Sequence, residues 1–364
     1  MKRVFFISDG MVTPIGCGTQ ETFSAVQQGR SAICLHTDFG CGDNPFVASL
    51  LDRSAIECLP GLSFFETVAT LAARQAIENA GIDPASERTA IVLSTIKGNV
   101  EKIETEDVSL ALSAARIAAA LGNPNPPVVV SNACISGVAA LLQGSRMLQG
   151  GRFSHIVVVG CEVQSRFIVT GFQSLKALSM NPCRPFDAAR DGLNLGEAAA
   201  AVVLGTEDGP WELVCGAVRN DANHISGPSR TGEGSYKVLR YVLESARRDQ
   251  LAFLNVHGTA TLYNDEMEAI AIDRAGLADV PVNALKGYFG HTMGAAGILE
   301  TILSMKACDF GALLPTRGFE TLGVSRTVKV SNETQPARGR EFIKLLSGFG
   351  GVNGALLLRK GGER

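Results

Sequence analysis

No apolar run in this chain approaches the roughly 18 residues that a bilayer-crossing helix needs, although hydrophobic residues make up 46% of its 364 positions and charged residues only 19%. The sequence therefore predicts no transmembrane helix and no membrane partner. Its start, Met1-Lys2-Arg3-Val4-Phe5-Phe6-Ile7, is basic and then apolar, but the apolar run is too short for a signal peptide and Asp9 follows at once. It reads as a first strand. There is no basic stretch interleaved with aromatics, and a net charge of -3 leaves no electrostatic footprint for nucleic acid. The nine cysteines are odd in number and contain no CxxC pair, which argues against a disulfide framework and a thiolate metal cluster and suits a reducing cytoplasm. HExxH is absent too, and neither His257 nor His291 has an acidic or cysteine ligand beside it at metal spacing. No metal site is expected.

What is present is an alternation of short β-rich apolar runs with longer Ala-rich stretches. Strands are predicted at 90–94, 128–130, 156–160 and 198–204, and helices at 64–80 (closed by Gly81), 109–121 (closed by Gly122) and 137–148 (closed by Gly150-Gly151). Continuous apolar strands imply sheets covered on both faces, so the fold class is α/β. Glu207-Asp208-Gly209-Pro210 is the strongest internal punctuation. It divides the chain into halves at 1–208 and 209–364. The second half is expected to hold strands near 253–256 and 344–346 and helices near 236–247, 266–275 and 295–310. No literal repeat is visible between the halves.

Cys134 lies in Ser131-Asn132-Ala133-Cys134-Ile135-Ser136-Gly137, between the strand Val128-Val129-Val130 and the apolar helix opening Val138-Ala139-Ala140-Leu141-Leu142. A cysteine on such a turn projects from a strand end toward the positive end of the next helix, which is expected to lower its pKa. Cysteine is more often a small buried hydrophobe; the placement of Cys134 favours a nucleophile. Cys17, Cys34, Cys41, Cys58, Cys161, Cys183, Cys215 and Cys308 have no comparable setting and take the structural reading.

His257, in Asn255-Val256-His257-Gly258-Thr259-Ala260-Thr261, follows an apolar strand, and His291, in Gly290-His291-Thr292-Met293-Gly294-Ala295-Ala296-Gly297, precedes an apolar helix. Small residues around each allow a substrate or another backbone to come close. His36, His155 and His224 lack this glycine frame and read as surface or loop residues, with His224 a candidate pocket wall.

Cys134, the His257-Gly258-Thr259-Ala260-Thr261 segment, Lys286 five residues before His291, and Gly348-Phe349-Gly350-Gly351-Val352-Asn353 together resemble the β-ketoacyl-acyl carrier protein synthases of the thiolase superfamily. The resemblance runs almost end to end, from Gly10-Met11-Val12-Thr13-Pro14-Ile15-Gly16 through Arg184-Pro185-Phe186-Asp187 to the C-terminal glycine loop. It implies a duplicated five-layered α-β-α-β-α sandwich, in which Cys134 of the first half meets both histidines of the second. It also implies a homodimer, acyl carrier protein as partner, and no cofactor beyond the phosphopantetheine of that carrier.

The activity implied is decarboxylative condensation: the cysteine takes an acyl chain, malonyl-carrier protein loses carbon dioxide, and the resulting carbanion attacks the acyl-enzyme to give a 3-oxoacyl thioester. A thiolate both attacks and leaves well, and two imidazole donors stabilise the thioester oxyanion left by decarboxylation. By the same resemblance, the backbone amides of Cys134 and Phe349 form an oxyanion hole for acyl transfer. Lys286 forms a buried pair with Glu268, Phe349 gates the acyl pocket, and the Thr259 and Thr261 hydroxyls hold the phosphopantetheine arm.

The chain departs from the family pattern in four places. The segment 31–65 is compressed, Leu345-Leu346-Ser347-Gly348 replaces the usual residues before the gate, and Ile135 is bulkier than the small residue expected, which would narrow the acyl tunnel. Ser94-Thr95-Ile96-Lys97-Gly98-Asn99 is similar to segments of ketosynthases in bacterial pigment and aryl-polyene clusters. Secondary metabolism thus competes with fatty acid elongation. Two other readings stand beside the active ketosynthase: a non-catalytic, chain-length-factor-like partner in a heterodimer, and a coenzyme A-dependent thiolase, which would commonly carry a second cysteine where 348–353 has none.

Overall fold

The computed structural model describes residues 2–37 and 44–361; Cys41, and with it part of the compressed segment 31–65, lies outside the described residues. The first half builds β1 (Phe5–Thr13), α1 (Phe64–Ala80), β2 (Thr89–Ser94), α2 (Leu110–Ala120), β3 (Val128–Val130), α3 (Ser136–Gln149), β4 (His155–Glu162), α4 (Arg166–Ser174) and β5 (Ala198–Gly205). The second builds β6 (Trp211–Asn220), α5 (Glu233–Leu243), β7 (Leu251–Asn255), α6 (Leu262–Arg274), β8 (Pro281–Asn283), α7 (Ala296–Phe310), β9 (Glu341–Gly348) and β10 (Val352–Lys360).

Local chemistry sets these boundaries. α1 starts at Ser63, whose side chain accepts from the Glu66 N–H while the Glu66 carboxylate accepts from the Ser63 N–H, and it ends on Gly81 in the left-handed region. That capping box and glycine stop are legible in the sequence, and the expected range holds to the residue. α5 and α6 each begin at least three residues before the expected 236 and 266, because the polar start Glu233-Gly234-Ser235 and the exposed Leu262 and Tyr263 give no buried apolar period to read.

The duplication absent from the sequence is present in the topology. In the first half the strand order is β1-β5-β4-β2-β3, and in the second it is β6-β10-β9-β7-β8. Each set runs antiparallel, antiparallel, parallel, parallel. The two sets join edge to edge where Phe5 and Phe6 of β1 face Glu212 and Trp211 of β6.

Burial follows the pleat on both faces, as continuous apolar strands require. In β4, Val157 and Val159 pack toward α1 and α2, whereas Ile156 and Val158 pack toward α3 and α7. In β9, Ile343 and Leu345 face α5 and α6, and Phe342 and Leu346 face the centre. The layers are therefore α1/α2, first sheet, α3/α7, second sheet, α5/α6: the five-layered sandwich. At its middle α3 and α7 cross on two glycines, and a Cβ on Gly137 would lie 2.8 Å from the Gly297 Cα. This close approach brings the start of α3 to the start of α7, which is how residues far apart in the chain come to share a site.

Among the described residues no helix is long and apolar enough to cross a membrane.

Candidate active site

Cys134 stands on the turn between β3 and α3, buried in the left-handed wake of Ala133, whose φ of 45° is strained for a residue with a Cβ. Enclosure decides its acidity. Burial pushes the thiol up to about 11, and the Lys286 ammonium and the N–H groups of Phe349 and Cys134 itself pull the other way without overcoming it. The expected lowering by the helix start is overturned: lost hydration outweighs the positive end of α3. Cys134 therefore rests as a thiol, and turning it into a nucleophile would require a nearby base.

Two bases are at hand. The Cys134 Sγ and a ring nitrogen from each of His257 and His291 all lie within 4.8 Å of one another, and the two rings meet edge to face with centroids 5.0 Å apart. Burial first, then the Lys286 charge, holds both imidazoles well below their usual range. They are neutral at pH 7. His291 Nδ1 accepts from the Met293 N–H at 3.2 Å, which places its proton on Nε2, and among the described residues Nε2 has no partner. An N–H donor thus points into the site unsatisfied.

His257 is fixed through its backbone. Its N–H and that of Gly258 donate to the two Glu268 oxygens at 2.7 Å each, and Lys286 Nζ donates to its carbonyl at 2.6 Å. Gly258 has φ 48°, and a Cβ there would meet the Ala284 side chain at 2.3 Å, so the turn tolerates only glycine. The carboxylate partner of Lys286 differs from expectation. Lys286 pairs with Glu300 on α7 at 3.0 Å, and Glu268 binds backbone and the Asn264 amide. Glu268 is spent on the N–H groups of the His257 turn, eleven residues before it in the chain, and burial raises it to about 7.

Two cavities meet at the cysteine. One, of about 450 Å³, is lined by Cys134, His257, His291, Thr259 and Thr261, and by His224 at its wall. The other, of about 920 Å³, is lined by Ile96, Lys97, Ile103, Phe167 and Met293. Cys134, Phe172 and Phe349 belong to both, and the two phenyl rings stack with centroids 6.0 Å apart. Phe349 stands between the cavities. The Thr259 and Thr261 hydroxyls are 2.9 Å apart on one wall. Ile135, expected to narrow the tunnel, instead packs fully buried in the central core and lines neither cavity, its side chain reaching toward Gly354 of β10. Ser347 donates to Asn264 at 2.7 Å and lines the smaller cavity.

A cysteine and two imidazoles at this separation also form a donor set for a soft dication. The ammonium groups of Lys286 and Lys344, sharing the single carboxylate of Glu300, leave the region behind the rings positive and oppose that use.

Comparison with known proteins bears on this geometry directly. The β-ketoacyl synthase N-terminal domain model matches residues 61–208, and the β-ketoacyl synthase C-terminal domain model matches 212–320. This chain belongs to the β-ketoacyl synthase family. It is 29% identical to 3-oxoacyl-[acyl-carrier-protein] synthase 2 of Rhizobium meliloti, over 99% of both chains. It is 28% identical to the tetracenomycin polyketide synthase ketoacyl synthase alpha subunit of Streptomyces glaucescens, over 99% of this chain and 97% of that one. The solved ishigamide ketosynthase/chain length factor matches with a TM-score of 0.88 at 25% identity, covering 99% of this chain and 100% of that one.

In this β-ketoacyl synthase the sequence reading missed three buried charges around the site. Glu300 interrupts the apolar face of α7, and Lys344 interrupts Phe342-Ile343-Lys344-Leu345-Leu346 on β9. The third is Glu162, at the end of β4, which accepts from Thr95 at 3.0 Å and is raised to about 7 by burial. A charge inside an apolar run was the available signal, since buried charges require partners.

The remaining cysteines are free among the described residues. Cys161, Cys183 and Cys308 are buried, Cys215 half-buried, and Cys17, Cys34 and Cys58 exposed. His155 pairs with Glu207 at 2.7 Å near the surface.

Proposed function

We propose that this protein condenses an acyl chain held on Cys134 with malonyl-acyl carrier protein, giving a 3-oxoacyl-acyl carrier protein in fatty acid or polyketide synthesis. The observation that carries this reading is the convergence of the Cys134 sulfur and the two neutral imidazoles within 4.8 Å, at the junction of two cavities.

In the first step an imidazole accepts the thiol proton as the sulfur attacks the acyl thioester carbon. The C–S bond to the carrier breaks, and the departing thiolate takes that proton back. N–H groups of Cys134 and Phe349 face the sulfur and stabilise the oxygen of the tetrahedral intermediate. In the second, malonyl thioester enters the smaller cavity along Thr259 and Thr261. Its carboxylate leaves as carbon dioxide, and the electron pair of the broken bond moves onto the thioester enolate, whose oxygen accepts from His257 and from His291 Nε2–H. The enolate carbon then attacks the acyl-enzyme, its C–S bond breaks, and the departing Cys134 thiolate takes a proton from an imidazole N–H, which solvent replaces. Lys286 holds the His257 carbonyl, Glu268 holds the His257 turn, and Phe349 admits the acyl chain to the larger cavity.

In this reading residues 1–208 supply the nucleophile and residues 209–364 the decarboxylation machinery. The protein works in the cytoplasm with acyl carrier protein, and without a resident cofactor. It does so as a homodimer or beside a related chain, as in the ketosynthase/chain length factor that it resembles. Retention of the cysteine with both histidines favours the active member of such a pair. The thiolase reading is disfavoured by the lack of a second cysteine in 348–353. Incubation with acyl-carrier protein followed by peptide mass spectrometry tests the first half-reaction. Acylation of the Cys134 peptide is expected, and acylation elsewhere or nowhere refutes the assignment.

A further inference from the structure

Behind the two histidines runs a network of polar side chains buried in the second half. Lys286 Nζ bonds Glu300 Oε1 at 3.0 Å; Glu300 Oε2 bonds Lys344 Nζ; Lys344 Nζ bonds Asn255 Oδ1 at 2.6 Å; and Asn255 Nδ2 bonds Asn283 Oδ1 at 2.9 Å. All five residues are at most 2% exposed. Asn255 ends β7 two residues before His257, and Lys286 holds the His257 carbonyl. Every link of the network therefore bears on the turn that carries the first histidine. The condensation as described uses Lys286 but gives Lys344 no task.

A second ammonium with no solvent and half a carboxylate is expensive to bury. A methionine in the same space would pack against Phe342 and Leu346 at far lower cost. Its presence calls for an electrostatic reason. Resting on the condensation reading above, we propose that Lys344 is a positioning residue for this site: an internal cation that shares Glu300 with Lys286 and leaves one unbalanced positive charge behind His257 and His291. Two lysines against one glutamate give the cluster a net charge of +1, and a positive charge in an enclosed region disfavours a second one nearby. Both imidazoles then stay uncharged, as acceptance of the thiol proton and donation to an enolate require. The other titratable groups facing this region are Asp265 and Glu268 on α6, Glu162 at the end of β4, Cys134 itself, and Cys183, whose thiol donates to the Lys286 carbonyl at 3.2 Å. Burial brings Lys344 down to about 8 against the pull of Glu300, which leaves it mostly charged at pH 7. Lys344 adds its charge to the field at both rings.

The test is direct titration of the histidines in the intact protein. With only five histidines in the chain, ring-labelled protein gives a readable NMR spectrum, and His257→Asn and His291→Asn assign the two signals. Lys344→Met and Lys344→Gln make the cluster neutral, and each is expected to raise the protonated-to-neutral ratio of His257 or His291 at a given pH by roughly tenfold. Lys344→Met combined with Glu300→Gln restores a net charge of +1, and the titration returns toward the parent's. A purely structural role predicts further damage in the double variant and no such return. Unmoved titrations in folded single variants, with activity falling only as the melting temperature falls, overturn the proposal. Should neither single variant fold, Glu300→Gln alone is compared with the double variant: the ratio rises on adding Lys344→Met if the lysine charge acts on the rings, and an unchanged ratio overturns the proposal. The titration needs no turnover. Absence of carbon dioxide release by the parent from malonyl-carrier protein would count against the condensation reading and leave this result standing.

Discussion

Gly137 and Gly297 touch backbone to backbone where α3 crosses α7; a Cβ on Gly297 would come within 2.6 Å of the Val138 nitrogen, and one on Gly137 within 2.8 Å of the Gly297 Cα. The Cys134 turn immediately precedes the first of these helices and His291 precedes the other. The distance between helix axes therefore fixes the distance between thiol and imidazole.

Gly137→Ala is expected to force the helices apart and to destabilise the fold by about 1–3 kcal/mol, the usual cost of overpacking a tight contact. Thermal unfolding measures it. A variant as stable as the parent would mean that the crossing has slack and does not set the site.

The pH dependence of alkylation follows from the enclosure of Cys134. With the thiol pushed up to about 11, the thiolate fraction grows with pH throughout the accessible range. The rate of iodoacetamide labelling should rise roughly tenfold per pH unit from 7 to 9, without levelling. A plateau at or below pH 7, read by peptide mass spectrometry, would show instead that the helix start wins over burial.

Most of the layer structure was legible in the sequence because apolar runs bounded by glycine state both their length and their burial. α1 and β3 match to the residue, and α3 differs by one at each end. α4 was not legible: Arg166-Phe167-Ile168-Val169-Thr170-Gly171-Phe172 mixes β-branched residues with a central glycine, and the Ser165 cap together with burial of Ile168 and Val169 holds it helical. The site divides in the same way. Cys134 is marked by its place between a strand and an apolar helix, His257 and His291 by their frames of small residues, and Lys286 only by its place in the family resemblance, five residues before His291. The Lys286–Glu300 pair does not, since its choice over Glu268 depends on how α6 and α7 face the His257 turn, which no spacing along the chain encodes.

His291→Ala removes an N–H donor that has no partner among the described residues. Carbon dioxide release from malonyl-carrier protein should fall roughly 10²–10³-fold, as for loss of one donor to a developing oxyanion, with acylation of Cys134 much less affected. Equal losses in both half-reactions would place His291 in the support of the fold rather than at the oxyanion.

Phe349→Ala opens the boundary between the two cavities and removes the stack on Phe172. Acyl transfer and the preference for chain length are expected to change several-fold, on the scale of a few methylene contacts, while malonyl decarboxylation changes less. Half-reaction rates measured separately decide it: parallel losses reject the gate.

The central claim is that one thiol and two neutral imidazoles perform a decarboxylative condensation. It is tested most directly by mixing the acyl-Cys134 protein with malonyl-acyl carrier protein and following carbon dioxide and product mass together. The account predicts one carbon dioxide per 3-oxoacyl-acyl carrier protein, with the acyl chain extended by two carbons and both products lost in Cys134→Ala. Extension without carbon dioxide, or no extension of the bound chain, would contradict it.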